Sequence, residues 1–230
     1  MPMKGSGTPS DWEEIDRFED EGAAGVGWIA HPDEAMQRAS HALAVDGDVW
    51  VIDPVDVEGL DDLLAEFGEV AGVVVLLDRH KRDAAAVATR HDVSVYLPTF
   101  RSDIADEFDA PVELFTGELG TSGYTLHKVV DNFAWSEGAL YNDANGVLLV
   151  PEALGTADFF RTKGERLGVH PGLRLMPPKK LARLAPDRIL VGHGAGIHDD
   201  AAAELDNAVS GSRRRTPSIY MKNLRMFLPG

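Results

Sequence analysis

Apolar positions along the chain fall into short runs, broken by segments with helical spacing. Residues 25–30 read as a short apolar strand. Residues 39–45 (ASHALAV) and 48–52 (DVWVI) flank Asp46-Gly47, a two-residue hairpin signal between β-rich runs. Leu60, Leu63, Leu64 and Phe67 share one helical face, and Gly68 stops that helix. Residues 72–77 (GVVVLL) are apolar throughout and bounded by charge, which predicts a buried strand. A helix over about 82–90 and a strand over 93–97 follow, and Pro98 ends the strand.

The second half repeats the hairpin. Residues 138–142 and 146–150 flank Asn145-Gly146. Each hairpin delivers a carboxylate at its exit, Asp53 or Glu152, and a helical pattern follows over 57–67 or 155–167. Two similar β/α halves are expected. Helix signals at 177–185 and 199–209 enclose a strand at 188–191, which completes an α/β alternation.

Charge changes the picture at both ends. Residues 1–24 read as a flexible acidic lead, within which 11–21 (DWEEIDRFEDE) form a solvated helix turn or acidic arm. Residues 211–230 hold Arg213, Arg214, Arg215, Lys222 and Arg225 and no acid, together with Ile219, Tyr220, Leu224, Met226, Phe227 and Leu228. A basic, apolar tail of this kind is expected to dock on its own acidic body or on a twin subunit in a homodimer. Residues 25–210 form the domain between these ends.

The whole chain of 230 residues has a formal charge of −16 and no cysteine. Nucleic acid and anionic membrane surfaces are disfavoured as partners, and disulfides and thiolate metal sites are excluded. Asp exceeds Glu and Lys is scarce, the balance expected of a halophilic, cytoplasmic protein whose self-repulsion is screened by salt. No run of about 18 apolar residues exists, and no secretory leader is expected from residues 1–10.

Candidate chemistry sits at strand exits, where open α/β sheets bind ligands. Asp78-Arg79-His80-Lys81-Arg82-Asp83 follows the buried strand 72–77. The segment 191–198 (VGHGAGIH) places His193 between glycines, which let the backbone turn and expose the imidazole. Glu152 closes the second hairpin. With no cysteine, a metal here must be held by His, Asp or Glu.

The order hairpin–IDP–helix–VVVLLDRH–helix–VYLP–hairpin–LLVPEALG–helix–LVGHG, over residues 25–210, resembles the metallo-β-lactamase-fold hydrolases. The resemblance implies an α/β fold: a four-layer αββα sandwich of two mixed sheets flanked by helices, with a metal site at one sheet edge. Against that family's H-x-H-x-D-H motif, Asp78 stands at the first His, His80 matches the second, Arg82 falls at the Asp and Asp83 at the last His. No His lies near 132–133 for the middle position. Glu152 falls at the metal-bridging Asp, and His193 matches the final His.

The resemblance thus implies metal ligands Asp78, His80, Glu152 and His193, with His80, Asp83 and His193 as catalytic candidates. His41, Asp53, Arg79 and Arg82 are implied around them, toward substrate or behind the ligands. A guanidinium at position 82 cannot ligate, so at most one divalent ion (zinc, manganese or iron) is expected, or none, with Arg82 pairing Asp83, Asp53 or Glu152. Two functions stay open: metal-dependent hydrolysis of a small ester, thioester or phosphoester, or a non-catalytic module binding a small anionic ligand.

Overall fold

In a computed structural model of the chain, residues 9–20 and 22–227 are described. The first seven strands are β1 (Glu13–Asp20), β2 (Ala23–Ile29), β3 (Ala39–Val45), β4 (Asp48–Ile52), β5 (Glu69–Val74), β6 (Val95–Pro98) and β7 (Val112–Phe115). Helix α1 (Leu60–Ala65) precedes β5, and α2 (Ala84–Arg90) follows it. Then come β8 (Thr125–Asn132), β9 (Trp135–Asn142), β10 (Val147–Val150), β11 (Leu154–Gly155), β12 (Gly168–Val169), β13 (Arg188–Val191) and α3 (Ala201–Phe227).

The first seven strands form one sheet in chain order, antiparallel from β1 to β4 and parallel from β4 to β7. A second sheet runs β13-β10-β9-β8, with only the β10–β13 pair parallel. Alternation along the strands divides the core into three slabs. Val73 and Val75 pack with Leu60, Leu64, Val87 and Ala88 of α1 and α2. Val74 and Leu76 face Leu140, Leu149 and Leu190 of the second sheet. Leu148, Val150, Ile189 and Val191 face Leu205 and Ala208 of α3. These slabs make the four layers of an αββα sandwich.

Both hairpins form at their Asp-Gly and Asn-Gly turns, where Asp46, Gly47 and Gly146 take positive φ. Residues 13–20 are a strand, not a helix turn or free arm, so the sheet begins before residue 25. The pattern also missed β7 and β8. Strands β1 and β8 leave most side chains exposed or half-exposed, and polar edge strands carry little hydrophobic periodicity.

No helix forms over 155–167. That segment wraps Phe160 as the β11–β12 clip, where an added Cβ at Gly168 would lie 2.1 Å from the Phe160 carbonyl oxygen. Over 177–185 only a single 3₁₀ turn, Leu181–Arg183, appears before Pro186.

The basic segment continues α3 rather than forming a separate tail. Ile219 is fully buried, Tyr220 Oη donates to the Pro171 carbonyl (3.1 Å), and Asn223 Nδ2 donates to the Phe159 carbonyl (3.0 Å). Arg215 pairs with Glu165 (3.2 Å), which also meets the fully buried Arg174 (2.8 Å). The expected roles of residues 1–8 and of Met226, Phe227 and Leu228 fall outside the residues and side chains described. Among the described residues no helix is long and apolar enough to cross a membrane.

Candidate metal centre

Three ligand atoms converge where both sheets end: one ring nitrogen each from His80 and His193 and a carboxylate oxygen of Glu152, all within 4.8 Å of one another. His80 ends a 3₁₀ turn after Leu77, Glu152 follows β10, and His193 follows β13. The parallel β10–β13 register sets Val150 beside Val191, so the two exits arrive together.

His193 depends on its glycines. A Cβ on Gly192 would lie 2.2 Å from the Pro151 carbonyl oxygen, and one on Gly194 would lie 2.3 Å from Thr156 Oγ1. Ala39 N–H donates to the Gly192 carbonyl (2.9 Å), and Gly194 N–H donates to the Gln37 carbonyl (2.8 Å). The His193 ring stacks on Phe160 at 5.2 Å, and its Nδ1–H donates to the Met36 carbonyl (2.9 Å). A carbonyl only accepts, so Nε2 carries the lone pair. That Nε2 is buried and has no hydrogen-bond partner among the described residues. Burial, with His80 and Arg82 nearby, holds the imidazole well below its usual pKa, hence neutral.

His80 is oriented in the same manner. Its Nδ1 lies 2.9 Å from Asp53 Oδ2, and its Nε2 lies 3.6 Å from Glu152 Oε2. Asp53 sits at φ +48° after β4, and its Oδ1 accepts from Leu76 N–H (3.1 Å). Burial pushes the Asp53 carboxyl up to about 7, against the pull of Arg82. An oxygen acceptor on each distal ring nitrogen is the arrangement that fixes the tautomer of metal-binding imidazoles.

Other candidates stand elsewhere. Asp78 is outside the cluster: its Oδ2 lies 3.9 Å from Arg101 Nη2. Asp83 turns away, its Oδ2 accepting from Asp56 N–H (2.8 Å). His41 is buried beneath the site, with Nε2 2.9 Å from the Val191 carbonyl oxygen, so it borders no cleft. Arg82 pairs with none of the expected acids. Its Nη1 donates to the carbonyls of Ala39 (2.6 Å) and Asp53 (2.7 Å), and its Nη2 to that of Gly192 (3.3 Å). Burial lowers this guanidinium to about 10, and it stays charged. Arg79 Nε donates to Glu152 Oε2 (3.2 Å), and its guanidinium lies 4.5 Å over the Trp135 ring.

Two residues escaped the sequence reading. His170 Nε2 lies 3.7 Å from Glu152 Oε1, and its Nδ1 accepts from Gly172 N–H (3.1 Å). Burial, helped by Arg79, lowers it to about 4. Glu137 on β9 is fully buried and takes N–H donors from Glu152, Ala153 and Trp135. Burial pushes Glu137 up to about 7. Its signal in the sequence was a lone acid between small residues in a strand (SEGAL).

The converging donors are of the kind that can hold a divalent ion. Two imidazoles and a carboxylate converge, and the buried Nε2 of His193 finds no hydrogen-bond partner among the described residues. Arg82 cannot ligate, Asp83 Oδ2 is taken by Asp56 N–H, Asp78 is not part of the three-residue cluster, and residues 132–133 lie at the β8–β9 turn without a His.

Several solved structures share the architecture. The DIM-1 metallo-beta-lactamase superposes with a TM-score of 0.59 at 12% identity, covering 90% of this chain and 99% of that one. The apo chemotaxis sensor ODP from T. denticola gives 0.60 at 13% identity, covering 93% and 99%. A flavo di-iron protein mutant from Thermotoga maritima gives 0.61 at 16% identity, covering 86% of this chain and 62% of that one. No protein-family model matches the chain, and no curated protein matches it in sequence. At these identities the likeness establishes the metallo-β-lactamase fold alone.

Proposed function

We propose that this chain holds one divalent ion, zinc, manganese or iron, between His80, Glu152 and His193, and uses it to hydrolyse a small acid-bearing ester, thioester or phosphoester. The observation that carries this reading is the buried, unbonded Nε2 of His193 facing the other two ligand atoms. A divalent ion there would lower the pKa of water and polarise a substrate oxygen.

The chain's own residues supply the rest. Asp53 and the Met36 carbonyl hold the two imidazoles with Nε2 inward. Arg79, 38% exposed on the Trp135 ring, has further N–H groups to orient a carboxylate or phosphate on the substrate. His170 is neutral at physiological pH and offers a hydrogen-bond donor at the rim. The acid excess supports a salt-rich cytoplasm as the setting.

The test is metal content by mass spectrometry after zinc loading and dialysis, with hydrolysis of p-nitrophenyl acetate and p-nitrophenyl phosphate. One equivalent in the wild type, lost in His80→Ala and His193→Ala together with any turnover, is expected. A wild type that retains no zinc, manganese or iron overturns the reading.

A second reading rests on the Arg79–Glu152 pair, in which a cation already occupies one side of the ligand carboxylate. On it the pocket binds a small anion without metal. Phosphate binding to metal-free protein, undisturbed by chelator, would favour it.

A further inference from the structure

We propose that Glu137 is a positioning residue: its carboxylate locks the Glu152 backbone and the Trp135 ring together, and so sets how tightly the centre holds its ion. This rests on the metal reading above, and concerns a residue that touches no ligand atom of the cluster.

Glu137 joins three pieces of the site. Its Oε1 accepts from Glu152 N–H and Ala153 N–H, both at 2.8 Å. Its Oε2 accepts from the Trp135 indole N–H at 2.7 Å. Its backbone forms a β-bridge with Leu77, the residue before the Asp78–His80 turn, and Gly138 N–H donates to the Leu76 carbonyl at 3.0 Å. The loop carrying Glu152 and the ring beneath Arg79 therefore meet at the buried Glu137 carboxylate, and the strand that leads into the His80 turn pairs with the backbone of the same residue.

The donor set explains why an acid stands here. Three N–H groups converge, and a carboxylate is the side chain that accepts at both ends and donates nowhere. Glutamine would satisfy one end and turn its NH₂ against a donor at the other. If the carbonyl faces Glu152 and Ala153, the NH₂ meets the Trp135 N–H. If the amide flips, two backbone donors are orphaned. Glu152 is anchored through its own amide, so a shift there carries its carboxylate away from His80 and His193.

The chemistry dictates an uncommon rescue experiment. Glu137→Gln, Trp135→Phe and the double variant are compared by Co²⁺ titration and by hydrogen exchange at the Glu152 and Ala153 amides. Glu137→Gln is expected to weaken Co²⁺ binding about 10- to 100-fold. The double variant should recover most of that loss, because phenylalanine removes the donor that opposes the new NH₂. A merely structural role predicts the reverse, since the double variant lacks one more contact. Wild-type affinity in Glu137→Gln, or a double variant no better than the single, overturns the proposal.

A wild type that binds no Co²⁺ defeats the metal reading by itself, and exchange then decides on Glu137. Slow exchange in the wild type and double variant with fast exchange in Glu137→Gln supports it, and equal exchange in all three overturns it. Should Glu137→Gln fail to fold, Glu137→Asp, one methylene short of its donors, takes its place with the same expected loss.

Discussion

His80 and Asp53 lie 27 positions apart in the chain, yet Nδ1 of one sits 2.9 Å from Oδ2 of the other and both are buried. Asp53 Oδ1 accepts from Leu76 N–H, and the ionised carboxylate can also accept the His80 Nδ1–H on Oδ2. Asparagine cannot accept at both. Set to accept from Leu76, its NH₂ would face Nδ1, drive the proton to Nε2 and remove the lone pair a metal needs. Asp53→Asn is expected to weaken zinc binding about 10- to 100-fold, read by competition with a chromophoric chelator. Unchanged affinity would mean that the pair does not set the tautomer.

Arg82 occupies the position at which the family motif has a ligand Asp. In the structure its guanidinium has another task. The guanidinium satisfies the carbonyls of Ala39, Asp53 and Gly192, and an acid there would face three acceptors. Arg82→Met should cost about 3 kcal/mol of stability, from carbonyls left without donors. Arg82→Asp should cost at least as much and recruit no second ion. Urea melts of both variants, with metal content, check this.

His170 gives the stability a pH dependence of defined sign. The folded-state value of about 4 lies below the unfolded value near 6.5. Between these, the unfolded chain binds a proton that the folded chain refuses, so stability falls as pH drops from 6.5 toward 4. The contribution reaches about 3 kcal/mol at the acid end. Asp53 and Glu137, raised to about 7, act oppositely, losing stability as pH rises from 4 to 7. His170→Asn keeps a cap acceptor for Gly172 N–H, and subtracting its pH–stability curve from that of the wild type isolates the imidazole. A flat difference curve would refute the assignment.

The charge of −16 predicts salt-dependent stability. Raising KCl to about 1 M shortens the screening length to about 3 Å and relieves acid–acid repulsion. The thermal midpoint should therefore rise from low to molar KCl, and equal midpoints would count against the halophilic reading.

The elements legible in the sequence were those with dense local signals. Asp46-Gly47 and Asn145-Gly146 marked their hairpins, and 188–191 marked β13, because turn chemistry and continuous apolar runs act over a few residues. Strands β1 and β8 were not legible, being polar edges. The 155–167 segment was misread because its helical spacing of apolar residues serves a clip around Phe160, a contact no local window contains.

The site divides along the same line. Residue types and strand exits, by themselves, singled out His80, Glu152, His193 and Asp53, since the ends of apolar runs locate the sheet edge. Only the tertiary structure decided that Asp78 stays outside the cluster, that Asp83 bonds Asp56 instead, that Arg82 serves carbonyls, and that Glu137 and His170 adjoin Glu152. The direction of a side chain at a loop is chosen by donors and acceptors on strands distant in sequence. A buried carboxylate such as Glu137 becomes intelligible only once the three N–H groups that meet it have been brought together by the fold.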